Sequence, residues 1–458
     1  MRHPQRALLI SAAACTSVVL AATAQSTAYA ADESPAERRV QVVMVNFTDS
    51  SFPDAAGTKS LLKGAYFGKS KSLTSYYNEV TRGATTFEPG TNGDGGIVGP
   101  IDLPMAGAGC DSGKISDLTY KALEEKGIGE DDYEHVSIVF PNQKTNCDYL
   151  ALGSVGGGTT WMPIDGKDIS MTALVHEFGH NFGYSHHMRL RCSGTDLAGC
   201  KDNDETSHKT PMGGGGWEAG LTSPELIHSK WLSGKEAVRV AKSGTYTLRP
   251  LYGSGSGVRA LDIPVGEDRL VVELRGASGT LDKRIEGVHA YRVPKGDYAE
   301  SALVDLDADA DHWSDKGAAD ADALAAGTTL TDKAGKVEVK VVKSADGAAT
   351  VAVSLDGVPA PAEAAADPEP SASAQPSGEA AAGAEDEGAK PQTGGEEPAG
   401  EQAADGTELA ETGSDSTTQL PVAVGGASLL AMGAVFMLRN RRRRATVSAT
   451  SPAGRHSR

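Results

Sequence analysis

The chain is 458 residues long, carries a net charge of −18 and contains only 5% aromatic residues. That length leaves room for two domains plus tails, since domains commonly run about 100–200 residues. The acidic balance argues against a nucleic-acid partner, because phosphates require clustered Lys and Arg.

Residues 1–30 read as a secretion signal. Arg2 and Arg6 form a positive start, Ala7 to Ala22 an apolar core, and Ala28-Tyr29-Ala30 a small-residue cleavage site, so the mature chain is expected to begin at Ala31. Cys15 falls in the removed segment, and Ala12 is a poor lead residue for a lipoprotein site. Four cysteines then remain: Cys110, Cys147, Cys192 and Cys200. An even number in an exported chain reads as disulfides, and four allow three connectivities. Nearness in sequence favours Cys192 with Cys200, which leaves Cys110 with Cys147.

RRVQVVMVNF marks a buried strand through Val40, Val42 and Val43. It starts so soon after Ala31 that a separate inhibitory pro-domain has no room. Ser70 to Glu79 suggests an amphipathic helix ending at Gly83, followed by a strand near Thr85 to Glu88. Lys114 to Lys126 reads as a helix with Leu118, Ala122 and Leu123 on one face, and His135 to Pro141 as a short apolar strand. His135 itself reads as an ordinary hydrogen-bonded residue. Met171 to Phe182 forms a helix that Ser170 or Thr172 can cap.

That helix opens the run HEFGHNFGYSH, His176 to His186. Four residues apart on a helix, His176 and His180 share a face and reach one metal ion. Glu177 is placed to take a proton from a metal-bound water. Gly183 allows a sharp turn that returns His186 as third ligand. Three imidazoles leave one zinc position open for water, the catalytic pattern. His187, next to the third ligand, is left out, since a fourth protein ligand would close the site.

With these residues the chain resembles the metzincin metalloproteases, and most closely the gametolysin-like ones, through HEFGHNFGYSHH, PMGGG and LTSPELIHSKWL, over roughly Arg39 to Leu232. The resemblance implies an α/β (α+β) catalytic domain over 31–235, one catalytic Zn2+, a methionine turn at Met212, and a substrate-pairing strand within Gly156 to Trp161. The alternative for that strand is a glycine-rich hairpin away from substrate. Some metzincins place a tyrosine two residues after the methionine; here that position is Gly214.

The loop Gly194 to Glu205 carries Asp196, Asp202, Asp204 and Glu205, which suit Ca2+ but are more often solvated acids. From 236 to 357 short β-rich segments separated by Gly, Asp or Lys predict an all-β, sandwich-like domain. Within it Asp305, Asp307 and Asp309 mimic a calcium loop, but Ala310 and Lys316 replace the required glycine and glutamate.

Residues 358–408 are rich in Ala, Pro, Gly and acids, and twelve acids against Lys390 place −11 of the −18 there. Such a segment buries too little to offset its ordering entropy and reads as a disordered linker. Leu409-Ala410-Glu411-Thr412-Gly413 resembles the L-A-x-T-G sorting signal that sortase transpeptidases cut between Thr and Gly. An apolar run at 420–438 has about the length of a transmembrane segment, and the basic tail 439–458 suits the cytoplasmic side. The expected product is a secreted zinc endopeptidase acting on protein or peptide substrates, joined to the peptidoglycan or membrane of a Gram-positive-type bacterium. The alternative is a surface adhesion or binding protein that uses the metalloprotease fold as a scaffold.

Overall fold

The computed structural model describes residues 36–306, 323–345 and 347–361. The expected signal 1–30, all but the first few residues of the linker 358–408, the pentapeptide 409–413, the apolar run 420–438, the tail 439–458, and Asp307, Asp309, Ala310 and Lys316 lie outside the described residues. Among the described residues there are five α-helices and three sheets, and no helix is long and apolar enough to cross a membrane.

The first part runs β1 (Ala36–Asn46), α1 (Ala55–Phe67), α2 (Leu73–Val80), β2 (Thr85–Pro89), β3 (Ile97–Asp102), α3 (Ser112–Glu125), β4 (His135–Pro141), β5 (Leu152–Gly153), β6 (Thr159–Ile164) and α4 (Met171–Asn181). The sheet order is β2-β1-β4-β6-β5, with β3 also on β1, and every pairing is parallel except β5 with β6. Val40 to Val45 of β1 are all buried, as a parallel strand covered on both faces requires. Val40, Val42 and Met44 join the core beneath α2 and α4, while Val43 and Val45 join the one beneath α3. On α3 the buried stripe is Ile115, Thr119 and Leu123, with Leu118 at its margin. Each of the first four helices begins with a side-chain cap, from Asp54, Ser72, Asp111 and Ser170.

The second part contains β7 (Met188–Cys192), β8 (Cys200–Thr206), α5 (Ser223–His228), β9 (Ala237–Arg239), β10 (Gly244–Leu248), β11 (Ala260–Val265), β12 (Asp268–Arg275), β13 (Gly287–Val293), β14 (Ala302–Asp305), β15 (Thr329–Asp332), β16 (Val337–Ala345) and β17 (Ala348–Ser354). A seven-stranded sheet, β8-β7-β14-β13-β12-β11-β9, and a four-stranded one, β10-β17-β16-β15, share one apolar core that includes Leu261, Leu270, Val339 and Val351. Two disulfides, Cys110–Cys147 and Cys192–Cys200, match the pairing favoured by sequence.

The expected division at 235/236 separates neither the sheets nor the cores. β7 and β8 precede it, yet β7 pairs in parallel with β14, and the core under α4 also contains Ala260, Val271 and Val293. The reason is physical: β7 leaves the metal-binding motif as an edge that needs a neighbour, and β14 supplies it. A chain ended after Lys235 should therefore lose its cooperative unfolding transition and its near-UV circular dichroism. A truncated chain that kept both would show two independent folding units.

Candidate metal centre

Helix α4 carries its apolar residues Ala173, Leu174, Val175 and Phe178 into the core, and so leaves another face to His176 and His180. Ser170 accepts from Ala173 N at 3.2 Å and fixes its start. Phe178 packs edge-on against Phe87 at 5.2 Å between ring centroids, and Tyr77 Oη donates to the Val175 carbonyl at 2.9 Å. With the helix fixed in this way, His176 and His180 stand one turn apart, their rings 4.7 Å from each other. The helix ends at Phe182, and Gly183 takes φ +97°, a region that glycine enters at little cost. The chain then returns His186 to 5.2 Å from His176 and 5.0 Å from His180.

One ligand nitrogen from each of the three histidines lies within 4.8 Å of the others, and among the described residues no other group is so placed to hold a metal ion. The hydrogen bonds prepare them for it. His176 Nδ1 donates to the Pro211 carbonyl at 2.8 Å and His180 Nδ1 to the Tyr184 carbonyl at 2.7 Å, so both keep Nε2 unprotonated for a metal. Nε2 of His176 is buried with no hydrogen-bond partner. A buried orphan nitrogen of this kind is costly, and a metal ion is the partner that fits it.

Burial, and next His180, pushes His176 down to about 3; burial pulls His180 to about 4 and lowers His186 as well. Each effect favours the neutral imidazole that a metal requires. Glu177, next to His176 on the helix, is buried too, and burial raises its carboxyl to about 8. A divalent cation next to it would favour the ionised form.

Met212 sits in a 3₁₀ turn, Pro211–Gly213, capped by Thr210. Its sulfur occupies the space a side chain on Gly179 would need, since a Cβ there would fall 2.3 Å from Sδ. Gly214 follows with φ +89° and offers no side chain to the centre. His187 stays outside the metal group. It is buried, its amide donates to the Met212 carbonyl, and its ring meets Tyr291 edge-on at 5.3 Å. His135 is also separate, with Nδ1 hydrogen-bonded to Asn181 Oδ1 at 3.0 Å. In the acidic loop Asp196 pairs with Lys333 and Glu205 with Arg189 and Arg191.

Three residues at the site carry no signal in the motif. A Cβ on Gly153 would lie 2.4 Å from the Glu177 carbonyl and 3.0 Å from Oε2, so β5 crosses Glu177 at a distance only glycine permits. Asn181, just after the second ligand, donates from Nδ2 to the carbonyls of Ser154 and Thr159 and holds the β5–β6 hairpin to α4. Gly179 admits the methionine. The glycine-rich string 152–158 is thus both a hairpin and a wall of the site. Only its glycines hinted at close packing in the sequence.

Metal retention should follow these shifts. Protons compete with a metal only where the folded imidazoles titrate, and all three are held below the ordinary histidine value of 6.5, so zinc bound at pH 7 should remain bound as pH falls past 6.5 and leave only at lower pH. Equilibrium dialysis across this range checks it, and release between pH 7 and 6 would contradict the geometry.

No family model matches the chain, and no curated protein matches it either.

Proposed function

We propose that the chain is an exported zinc endopeptidase of metzincin type, held at the surface of its cell. The observation that carries this reading is Glu177, a buried carboxylate next to His176 on the same helix, with burial alone setting its affinity for protons. A purely structural metal site has no use for such a group. Met212 beneath the helix adds support, as does the turn at Gly183. Zinc held by His176, His180 and His186 would supply Lewis acidity, bringing the pKa of a water to about 7 and polarising a carbonyl. Glu177 takes the proton of the attacking water and delivers it to the leaving amine nitrogen. β5, the edge strand beside Glu177, offers free backbone groups to an extended peptide, with exposed Leu150 and Val155 flanking it.

Export rests on residues 1–30 and agrees with the two disulfides, which persist in oxidising compartments. Anchoring rests on the order of Leu409 to Gly413, the apolar run 420–438 and the basic tail. The acidic segment before them is the spacer that lets the enzyme stand off from the wall.

Glu177→Ala should retain zinc and lose casein hydrolysis by about 10²- to 10⁴-fold, the usual contribution of a general base, whereas His180→Ala should lose the metal. Wild-type hydrolysis by the zinc-loaded Glu177 variant would remove the base from the mechanism. Mass spectrometry of protein released by wall digestion should find a chain ending at Thr412 and attached to peptidoglycan. Recovery of peptides beyond Gly413, or complete extraction by detergent, would leave a membrane anchor in its place.

A further inference from the structure

The segment from Lys209 to Ser223, which contains the methionine turn, is held by residues fifty or more positions further along the chain. Arg275, at the end of β12, is fully buried, and all five of its N–H groups are used. Nε donates to Asp282 Oδ2 at 2.7 Å. Nη1 donates to Glu273 Oε1 and to the Lys209 carbonyl, both at 3.0 Å. Nη2 donates to Asp282 Oδ1 at 2.6 Å and to the Gly220 carbonyl at 3.1 Å. One guanidinium thus grips the segment at two carbonyls, one on each side of the methionine. Its carboxylate partners hold the same segment: Asp282 Oδ1 accepts from Gly220 N at 2.9 Å and Glu273 Oε2 from Ser223 N at 2.6 Å.

What lies between those grips is the wall of the metal centre. Pro211 provides the carbonyl that orients His176, and Met212 both packs against Gly179 and accepts from His187 N. A buried ion pair adds little net stability compared with apolar side chains of similar volume, so stability alone does not account for a charged triad here. The planar fork of arginine has a different use, because it fixes two acceptors in one plane, which the single point of a lysine does not.

We propose that Arg275 is a positioning residue for the metal centre, setting the Pro211 carbonyl and hence the ring of His176 through its hold on Lys209 and Gly220. The inference rests on the reading of His176, His180 and His186 as a metal site, and not on the reaction assigned to it.

The test uses the full chain and two probes, zinc and cobalt. Zinc dissociation constants are measured by competition with a chromophoric chelator, and Co2+ visible spectra report the ligand field. Arg275→Lys, folded by circular dichroism, should bind zinc about 10- to 100-fold more weakly, as loss of a group that orients a ligand does, and its cobalt bands should shift. Arg259→Lys is the control. Arg259 is equally buried and gathers the carbonyls of Pro250, Gly253 and Gly255, but touches nothing at the centre, so its affinity and spectrum should stay unchanged. A folded Arg275→Lys protein with wild-type affinity and spectrum overturns the proposal.

Should that variant fail to fold, hydrogen exchange on the wild type decides. Coupling is reciprocal, so zinc must slow exchange of the Gly220 and Ser223 amides. Equal rates with and without zinc overturn the proposal. If the wild type binds neither metal, the reading of the centre itself falls, an outcome distinct from either of these.

Discussion

The 2.8 Å hydrogen bond from His176 Nδ1 to the Pro211 carbonyl joins two stretches 35 residues apart, and the rest of the site depends on it. It selects the tautomer that leaves Nε2 free, sets the plane of the ring, and brings the methionine turn beneath α4. Because Pro211 has no amide hydrogen, its carbonyl is the only backbone hydrogen-bonding group it offers, and that group faces the ligand. A ring held at Nδ1 has lost much of its rotational freedom before any metal reaches Nε2, so binding meets less of that entropy cost.

The same economy governs the surroundings of α4. The aromatic cluster of Tyr77, Phe87, Phe178, Phe182 and Trp231 fixes the helix from below, and the Asn181 side chain fixes the hairpin at its end. Buried aromatic side chains contribute on the order of 2–3 kcal/mol each through area alone, and their edge-to-face contacts add direction. That direction is what keeps His176 and His180 aimed at a common point while the apolar face is held in place. Burial also keeps the imidazoles neutral, so packing and ligand chemistry have one cause.

What is legible in the sequence is what local spacing decides. His176 and His180 are four residues apart on a helix, Gly183 precedes a turn, and the valines of β1 repeat as buried strands do; each follows from geometry within a dozen residues. Helix α1 is harder to read, because Gly57 and Gly64 sit inside it and only the Asp54 cap and the burial of Leu62 and Tyr66 show why it forms. β7 and β8, MRLRC and CKDNDET, carry charges where a strand pattern expects apolar residues. They are strands because β14 lies alongside and because buried Arg189 meets buried Asp305 at 3.3 Å. Gly153, Gly179 and Arg275 owe their roles to neighbours far away in the chain, and no spacing rule reaches those.

The parallel pairing of β7 with β14 also orders events in time. A chain emerges from its N-terminus, at about 5–20 residues per second during synthesis. His186 therefore appears more than a hundred residues before Ala302 to Asp305, the strand that flanks the segment leaving it. The three imidazoles and Glu177 are present early, yet the sheet that takes up β7 closes only when β14 has followed. Topology by itself thus delays completion of the centre until most of the folded sequence has emerged.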